Sequence, residues 1–326
     1  MTPERWKCTL YATFASASPT AVIYRRGPTK HTCLIAWDRS DDSFQVGQWF
    51  EGMVKPSWGG LSPDGRWLIT FMGKYRGPYG TWTVLSKPPY FTAISLWPMG
   101  DTWYGGGWFL TDRELVLRHW MGPYDLAPGF EPPPGIEVLP YGPELRDAID
   151  RRGRATPWIV EPQPDRSDRA VWRGSQGHRL VRTCEPRGTP LSREPDRPLV
   201  EVMRHHLVVS GGQPVELPRA DWAAFDGNGD LLFSEGGRLY RLAAEAFGSV
   251  TCTAGLLDAA RCLADFSDLR FTAVRAPYAQ EVRPGDDGGL APSGFAPRLD
   301  RTSRETRRRA KRLRKLADRT KPSQSP

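Results

Sequence analysis

Two short stretches of the sequence carry side chains that could bind a metal ion. Asp226-Gly-Asn-Gly-Asp230 places oxygen ligands at alternate positions, as at the start of a calcium-binding loop. Such a loop needs Gly at its sixth position and Glu at its twelfth, where this chain has Leu231 and Gly237. The other stretch is His205-His206, whose side chains would point to opposite faces of a strand. We therefore interpret the first stretch as a hairpin turn and predict neither a metal site nor a cofactor.

A group of aromatic side chains could stack on a sugar ring or a nucleobase. The group comprises Trp97, Trp103, Tyr104, Trp108, His119 and Trp120, and it surrounds Gly105-Gly106-Gly107. Trp97, Trp103 and Trp108 are the candidate ligand-stacking residues. The alternative is that the rings pack between sheets while the glycines permit a close strand crossing. The sequence favours packing, because most tryptophans are largely buried.

Basic side chains are concentrated at the end of the chain. From Arg298 onward there are twelve Lys and Arg against three acids, which leaves 33 basic and 34 acidic residues in the rest. Arginine predominates, and its guanidinium can contact phosphate through two hydrogen bonds. The candidate polyanion-binding residues are Arg304, Arg307, Arg308, Arg309, Lys311, Arg312, Arg314 and Lys315.

The same tail has a helical start signal and a pattern that opposes a stable helix. Thr302 and Glu305 fit a capping box. Like charges four residues apart, as at Arg304 and Arg308, each cost about 0.2–0.5 kcal/mol. We expect a partly helical or disordered tail that becomes helical on nucleic acid or another polyanion. An acidic protein, a membrane surface or a solvated extension without function are the alternatives.

The elements that would position these residues are short strands. Strand-like runs at 21–26, 32–38, 44–50, 67–71, 81–86 and 92–97 are separated by turns at spacings of roughly ten residues. At the N-terminus Cys8, Leu10 and Ala12 alternate with polar residues, which favours a strand over a signal peptide. Together with 33 Gly, 31 Pro and 13 Trp in 326 residues, this pattern predicts an all-β protein.

One turn-and-strand pattern recurs along the chain. Ser62-Pro-Asp-Gly65 precedes an apolar strand, and the segment 223–242 again places Asp and Gly before two strands. Gly65 and Gly229 occupy equivalent places 164 residues apart, which is four times 41. The segments 111–117 and 169–182 are weaker copies. A period of roughly 40–45 residues is typical of four-stranded propeller blades.

These residues resemble a known family. LSPDGRWLITF (61–71) resembles the repeat of TolB-type propellers, and TCLIAWD (32–38) ends like a WD-repeat strand. The resemblance covers two or three repeats between about residues 21 and 242. It implies a β-propeller of degenerate four-stranded blades, about five to seven in number, around a central channel. The shared motif is a structural turn, so the resemblance implies no catalytic residues.

The remaining segments complete the domain organisation. Residues 254–266 have apolar side chains at helical spacing and predict a helix, and 268–274 predict a strand. We expect this strand, or the N-terminal one, to complete a blade begun by the other end of the chain. The predicted organisation is a propeller domain at 1–283, a flexible linker at 284–297 and the basic tail at 298–326.

Five cysteines without a C-x-x-C pair favour buried thiols in a reducing compartment, hence a cytoplasmic protein. No stretch has the apolar length of a transmembrane segment. We expect a monomer.

The sequence favours a binding function over catalysis. It contains no G-x-S-x-G, P-loop, Rossmann or H-E-x-x-H motif, and it gives no reason to pair two carboxylates as acid and base. The leading hypothesis is a non-enzymatic binding or scaffolding propeller, tethered to nucleic acid or another polyanion by its tail. The alternatives are an enzyme with its active site in the central funnel and a carbohydrate-binding propeller that uses exposed tryptophans.

Overall fold

A computed structural model describes residues 8–27, 30–75, 77–119, 125–131, 133–140, 158–161, 168–185, 202–218 and 220–279. Within these ranges the regular structure is mostly β, and its strands form five sheets, each built from one continuous stretch of sequence. This confirms the all-β prediction. Across the described ranges, no helix has the length and apolar content needed to cross a membrane.

Sheets 1 and 2 each have four antiparallel strands in chain order. Sheet 1 contains β1 (Thr9–Phe14), β2 (Thr20–Arg26), β3 (His31–Asp38) and β4 (Ser43–Glu51). Sheet 2 contains β5 (Met53–Leu61), β6 (Leu68–Gly73), β7 (Thr81–Ser86) and β8 (Ser95–Pro98). The strands predicted at 21–26, 32–38, 44–50 and 81–86 agree with β2, β3, β4 and β7 to within one residue.

Sheets 3, 4 and 5 have three, five and four strands in the described residues. Sheet 3 contains β9 (Gly107–Phe109), β10 (Glu114–Leu117) and β11 (Glu137–Pro140), and β11 runs parallel to β10. Sheet 4 contains β12 (Trp158–Glu161), β13 (Asp168–Arg173), β14 (Arg179–Glu185), β15 (Val202–Val208) and β16 (Pro214–Glu216). Sheet 5 contains β17 (Ala223–Phe225), β18 (Leu231–Glu235), β19 (Arg238–Leu242) and β20 (Arg261–Asp265). The helix α1 (Thr253–Ala259) precedes β20.

The two copies of the recurring turn have the same geometry. The Gly65 N–H donates to the Ser62 carbonyl, and the Gly229 N–H donates to the Asp226 carbonyl. Both glycines have positive φ, 76° and 89°, a region that glycine adopts without steric cost. Each turn joins the first and second strands of its sheet. The equivalence of Gly65 and Gly229 inferred from the sequence is therefore a structural one.

The sheets pack face to face in the order 4–5–1–2–3. Four apolar clusters of buried residues lie between successive pairs of sheets. Each cluster removes from water the apolar faces of two neighbouring sheets, which neither sheet could cover alone. Representative pairs across these interfaces are Leu207 and Phe233, Leu232 and Ile23, Val22 and Leu68, and Leu85 and Leu115. In sheet 2 the first strand, β5, also contacts β1 and β9, which are the first strands of sheets 1 and 3.

The first and last sheets along the described chain, sheets 1 and 5, are joined at Arg25, which is buried in sheet 1. Its Nε donates to the Phe266 carbonyl at 3.0 Å and its Nη2 to the Ser267 carbonyl at 2.8 Å. Sheets 1 and 5 nevertheless each consist of consecutive strands. The expectation that one end of the chain completes a sheet begun by the other is therefore wrong, because packing and the Arg25 hydrogen bonds join the ends instead.

The predicted helix at 254–266 is only half correct, and the predicted strand at 268–274 is wrong. The helix ends at Ala259, because Ala260 has extended backbone angles, and Arg261–Asp265 then pairs with β19 as the fourth strand of sheet 5. The following segment crosses sheet 1, where the Phe271 ring lies 6.1 Å from that of Trp49. It reaches sheet 2 at Tyr278, whose hydroxyl donates to the Thr92 carbonyl at 3.0 Å.

The described cysteines are of two kinds. Cys8 and Cys33 are buried, as expected, and burial raises the pKa of Cys8 to about 11 and of Cys33 to about 12. Cys252 and Cys262 are exposed, which corrects the expectation of buried thiols throughout. Cys252 lies at the N-cap of α1 and Cys262 lies on the outermost strand of sheet 5, so neither is covered by a neighbouring sheet.

This difference predicts the order of thiol modification. At pH 8 iodoacetamide should label Cys252 and Cys262 in the folded protein, because the thiolate is the reactive form and must be accessible. Cys8 and Cys33 should react only after unfolding in urea. Peptide mass spectrometry of timed samples measures the order, and early labelling of Cys33 would contradict the burial described above.

Candidate ligand-binding surface

The first strand of sheet 2 departs from regular pairing in its middle. Lys55 is opposite Phe71 and Gly60 is opposite Ile69, so residues 56–59 of β5 face the single residue Thr70 of β6. The irregular segment begins with Pro56, which has no N–H to donate to the ladder. Irregularities of this kind can redirect side chains, and Trp58 lies within this one.

Trp58 is surrounded by one aromatic ring and two cations. Its ring stacks on that of Phe71 with centroids 5.2 Å apart. The Lys55 ammonium lies 4.5 Å from the Trp58 ring centroid, and the Arg118 guanidinium lies 4.4 Å from it. We refer to Lys55, Trp58, Phe71 and Arg118 as the Trp58 cluster. Cation–π attraction of this kind contributes roughly 0.5–2 kcal/mol per pair.

The glycine run brings sheet 3 against the Trp58 cluster. A Cβ at Gly106 would lie 1.8 Å from the Trp58 carbonyl oxygen, and a Cβ at Gly105 would lie 2.3 Å from the Phe71 ring. Both glycines have positive φ. Only glycine permits this approach, so the run does serve the close strand crossing that the sequence suggested.

A buried polar pair fixes the same crossing. Thr83 Oγ1 on β7 lies 2.9 Å from His119 Nε2 and accepts a hydrogen bond from the Gly106 N–H at 2.8 Å. His119 is fully buried. The histidine of the aromatic group therefore connects sheets 2 and 3, and its ring does not face solvent.

The three candidate stacking tryptophans have different environments. Trp97 is 2% exposed and belongs to the apolar cluster between sheets 2 and 3, where a ligand would have to displace its neighbours. Trp108 is partly buried on β9. Trp103 is 79% exposed, and its backbone N–H donates to Asp101 Oδ1 at 3.0 Å. Of the three, Trp103 presents most of its ring to solvent.

Tyr75 is a further exposed ring, which the sequence did not indicate as a candidate. Tyr75 lies in the turn between β6 and β7 and is 65% exposed. Its φ of 56° is in the left-handed region, and its hydroxyl donates to Met53 Sδ at 2.8 Å. Tyr79, in the same turn, is buried. The sequence signal was only a Gly- and Pro-rich turn with two tyrosines, which does not show which ring faces outward.

A continuous set of contacts joins these exposed rings to the Trp58 cluster. The Lys74 and Tyr75 N–H groups donate to the Gly80 carbonyl, and the Met99 and Gly100 N–H groups donate to that of Thr81, which places the Tyr75 turn beside the Trp103 loop. From Trp103 the chain passes through the exposed Tyr104 to Gly105, which contacts Phe71. We call the exposed side chains of this region, with Lys55, Trp58 and Arg118 packed over the buried Phe71, the aromatic–cationic surface: Lys55, Trp58, Lys74, Tyr75, Trp103, Tyr104 and Arg118.

The charges in this region are mainly positive. Lys74 is exposed, and its ammonium lies 5.5 Å from the Phe50 ring centroid, while Lys55 and Arg118 are half-buried against Trp58. The neighbouring acids are Asp101, which accepts the Trp103 N–H, and Glu51 at the end of β4. Exposed rings beside cations are chemically suited to an anionic ligand with flat groups.

No protein-family model matches the chain, and comparison of its sequence with curated proteins found no match either. The resemblance to TolB-type and WD-repeat propellers therefore stays a prediction from the residues.

The other candidate site of the sequence, the Asp226–Asp230 stretch, is a turn held by an arginine. Asp226 Oδ1 accepts the N–H groups of Asn228 and Asp230. Arg241 Nη1 donates to Asp226 Oδ2 at 2.5 Å and to Asp230 Oδ2 at 3.1 Å. The guanidinium thus supplies the positive charge that a calcium ion would supply. In the part of the chain that the structure describes, no three His, Cys, Asp or Glu side chains are arranged to hold a metal ion.

The two adjacent histidines have different environments, as strand alternation predicts. His205 is buried, with Nδ1 2.9 Å from the Ala220 carbonyl oxygen. His206 is partly exposed on β15, where burial lowers its pKa and the Glu216 carboxylate opposes that shift. The eight basic tail residues proposed to bind a polyanion, 304–315, and Trp120 of the aromatic group lie outside the described residues.

Proposed function

We propose that the five sheets are degenerate blades of one β-propeller and that the protein is a non-enzymatic binding scaffold. The observation that carries the proposal is the packing order 4–5–1–2–3, with an apolar cluster at each successive interface. Contacts of β5 with β1 and β9 agree with first strands that converge on a common axis.

Nucleic acid, or another polyanion, is the ligand class that the chain favours. The tail carries the net charge of the protein, and the aromatic–cationic surface adds the exposed Lys74 and the half-buried Lys55 and Arg118 in the body. Asp42, Asp226 and Asp230 are brought together by Arg241, which pairs with all three and so removes them as free acids and bases. Binding therefore has more support than catalysis.

The salt dependence of binding tests the tail. Full-length protein with Arg307, Arg308, Lys311 and Arg312 changed to Gln should bind a labelled 20-base-pair duplex more weakly. The slope of log K against log salt should fall in magnitude by roughly 3–4, since each phosphate contact contributes about 0.9 on a duplex. Fluorescence anisotropy between about 50 and 200 mM NaCl measures this slope.

A matched variant separates the tail from net charge. Arg66, Arg113, Arg173 and Arg179 are exposed arginines of the body, and changing them to Gln removes the same charge. This variant should keep nearly the whole slope of the unmodified protein. Equal slopes for both variants would contradict a specific role for the tail.

A further inference from the structure

We propose that the aromatic–cationic surface on sheets 2 and 3 binds single-stranded nucleic acid, with bases stacked on Trp103 and Tyr75 and phosphates beside the neighbouring cations. The inference rests on the proposed function in its choice of a polyanion. It adds a site in the body of the protein and a preference for unpaired strands.

Hydrogen bonds order the segments that carry the two exposed rings. The backbone N–H of Trp103 donates to Asp101 Oδ1, and the carbonyl of Asp101 accepts a hydrogen bond from the Thr81 hydroxyl. Tyr75 is fixed through its hydroxyl to Met53. A ring whose backbone is already ordered loses little conformational entropy when it stacks on a base. Large exposed apolar side chains that are grouped in this way commonly mark a contact surface.

Lys55 and Arg118 lie against Trp58, and Lys74 lies in the turn of Tyr75. Lys74 directly precedes Tyr75, and Met53, which Tyr75 contacts, is two residues from Lys55. Arg118 and Lys55 are both held against Trp58, so their side chains are ordered before a ligand arrives. A strand that places bases on the rings would place its phosphates within reach of these side chains.

The arrangement favours an unpaired strand over the other anionic or ring-binding ligands. In a duplex the bases are already stacked on one another, so exposed protein rings gain no stacking energy without unwinding it. A neutral oligosaccharide could stack on Trp103 and would gain nothing from the three cations. An acidic protein would use the cations and would not need two exposed rings.

The test measures binding of full-length protein to a fluorescein-labelled dT20 strand and to a 20-base-pair duplex at about 150 mM NaCl. The variant carrying Tyr75→Ala and Trp103→Ala should bind dT20 at least tenfold more weakly, since each lost base stack corresponds to about tenfold in affinity. Its duplex affinity should change less than twofold. Trp103→Phe keeps a stacking ring and should retain most of the dT20 affinity.

Two matched controls define the surface. Phe271→Ala removes another exposed ring, on the segment that crosses sheet 1, and should leave dT20 binding unchanged. Lys74→Gln should lower the salt slope for dT20 by about 0.7, and Lys30→Gln, an exposed lysine beside sheet 1, should not.

Each result supports or overturns the inference. Unchanged dT20 affinity in the double variant would overturn it, as would Trp103-dependent binding of cellohexaose or polyglutamate by a protein that does not bind dT20. The tail variant tests the proposed function separately from the single-strand site. If the tail variant loses duplex binding and dT20 binding still depends on Trp103, both proposals are supported. If the tail variant keeps duplex binding and the Tyr75 and Trp103 double variant keeps dT20 binding, both proposals are overturned.

Discussion

Replacement of Arg241 by Met is expected to lower the free energy of unfolding by about 3–5 kcal/mol, because it leaves buried carboxylates without their cation. Arg241 contacts Asp226 and Asp230 of its own sheet, and its Nη2 donates to Asp42 Oδ1 of sheet 1 at 2.9 Å. Its side chain is 12% exposed and that of Asp226 is 5% exposed, so water replaces little of the lost interaction. The urea midpoint, followed by tryptophan fluorescence, measures the change.

The same strand offers a matched control. Arg238 also pairs with an aspartate, Asp265, at 2.9 Å, but its side chain is 52% exposed. Arg238→Met should cost less than about 1 kcal/mol, since solvent screens an exposed pair. Similar losses in the two variants would show that Arg241 does not join sheets 5 and 1 as described. Arg241→Met also removes one partner of Asp42, which keeps its contacts with Arg261 and with the Trp37 indole N–H.

Gly106→Ala should destabilise the protein by about 2–4 kcal/mol, because the new Cβ must displace backbone atoms. That Cβ would lie 1.8 Å from the Trp58 carbonyl oxygen, and φ at this position is 76°, which a side chain also disfavours. The bulge of β5 would have to move away from sheet 3, and the Trp58 cluster with it. Thermal unfolding and near-ultraviolet circular dichroism of the tryptophans together measure the effect.

Gly100→Ala separates backbone conformation from contact. Gly100 has a similar φ of 79°, and a Cβ there would meet no atom within 4 Å. It should cost only about 1 kcal/mol. If Gly106→Ala cost no more than this, the close approach of sheets 2 and 3 would be contradicted. If the aromatic–cationic surface binds single strands, Gly106→Ala should also weaken that binding.

Much of the strand pattern could be predicted because its causes are local. The alternation at Cys8, Leu10 and Ala12 reflects the two faces of one strand, and all three residues are buried in the structure. The equivalence of Gly65 and Gly229 likewise follows from a hydrogen bond that spans three residues. The end of the helix at Ala259 was missed because Arg261–Asp265 pairs with β19, whose partner residues lie 20 to 27 positions earlier in the chain.

The exposure of the tryptophans in the aromatic group could not be predicted from neighbouring residues in the sequence. Trp97, Trp103 and Trp108 are chemically identical in the sequence, yet one is buried, one is exposed and one is intermediate. Their environments depend on how closely sheets 2 and 3 approach, which Gly105 and Gly106 decide together with Phe71 and Trp58. Tyr75 is a candidate because its turn lies beside the loop of Trp103, which only the tertiary structure shows.

The sequence by itself determined the all-β class, the repeated turn and the charge of the tail, since each depends on residues that are close in the chain. The tertiary structure alone decided that Arg241 binds Asp42, 199 residues away, and that the Tyr75 turn lies beside the Trp103 loop. Such pairings depend on the packing of whole sheets, because burial of apolar surface is non-directional and does not specify which distant residues meet.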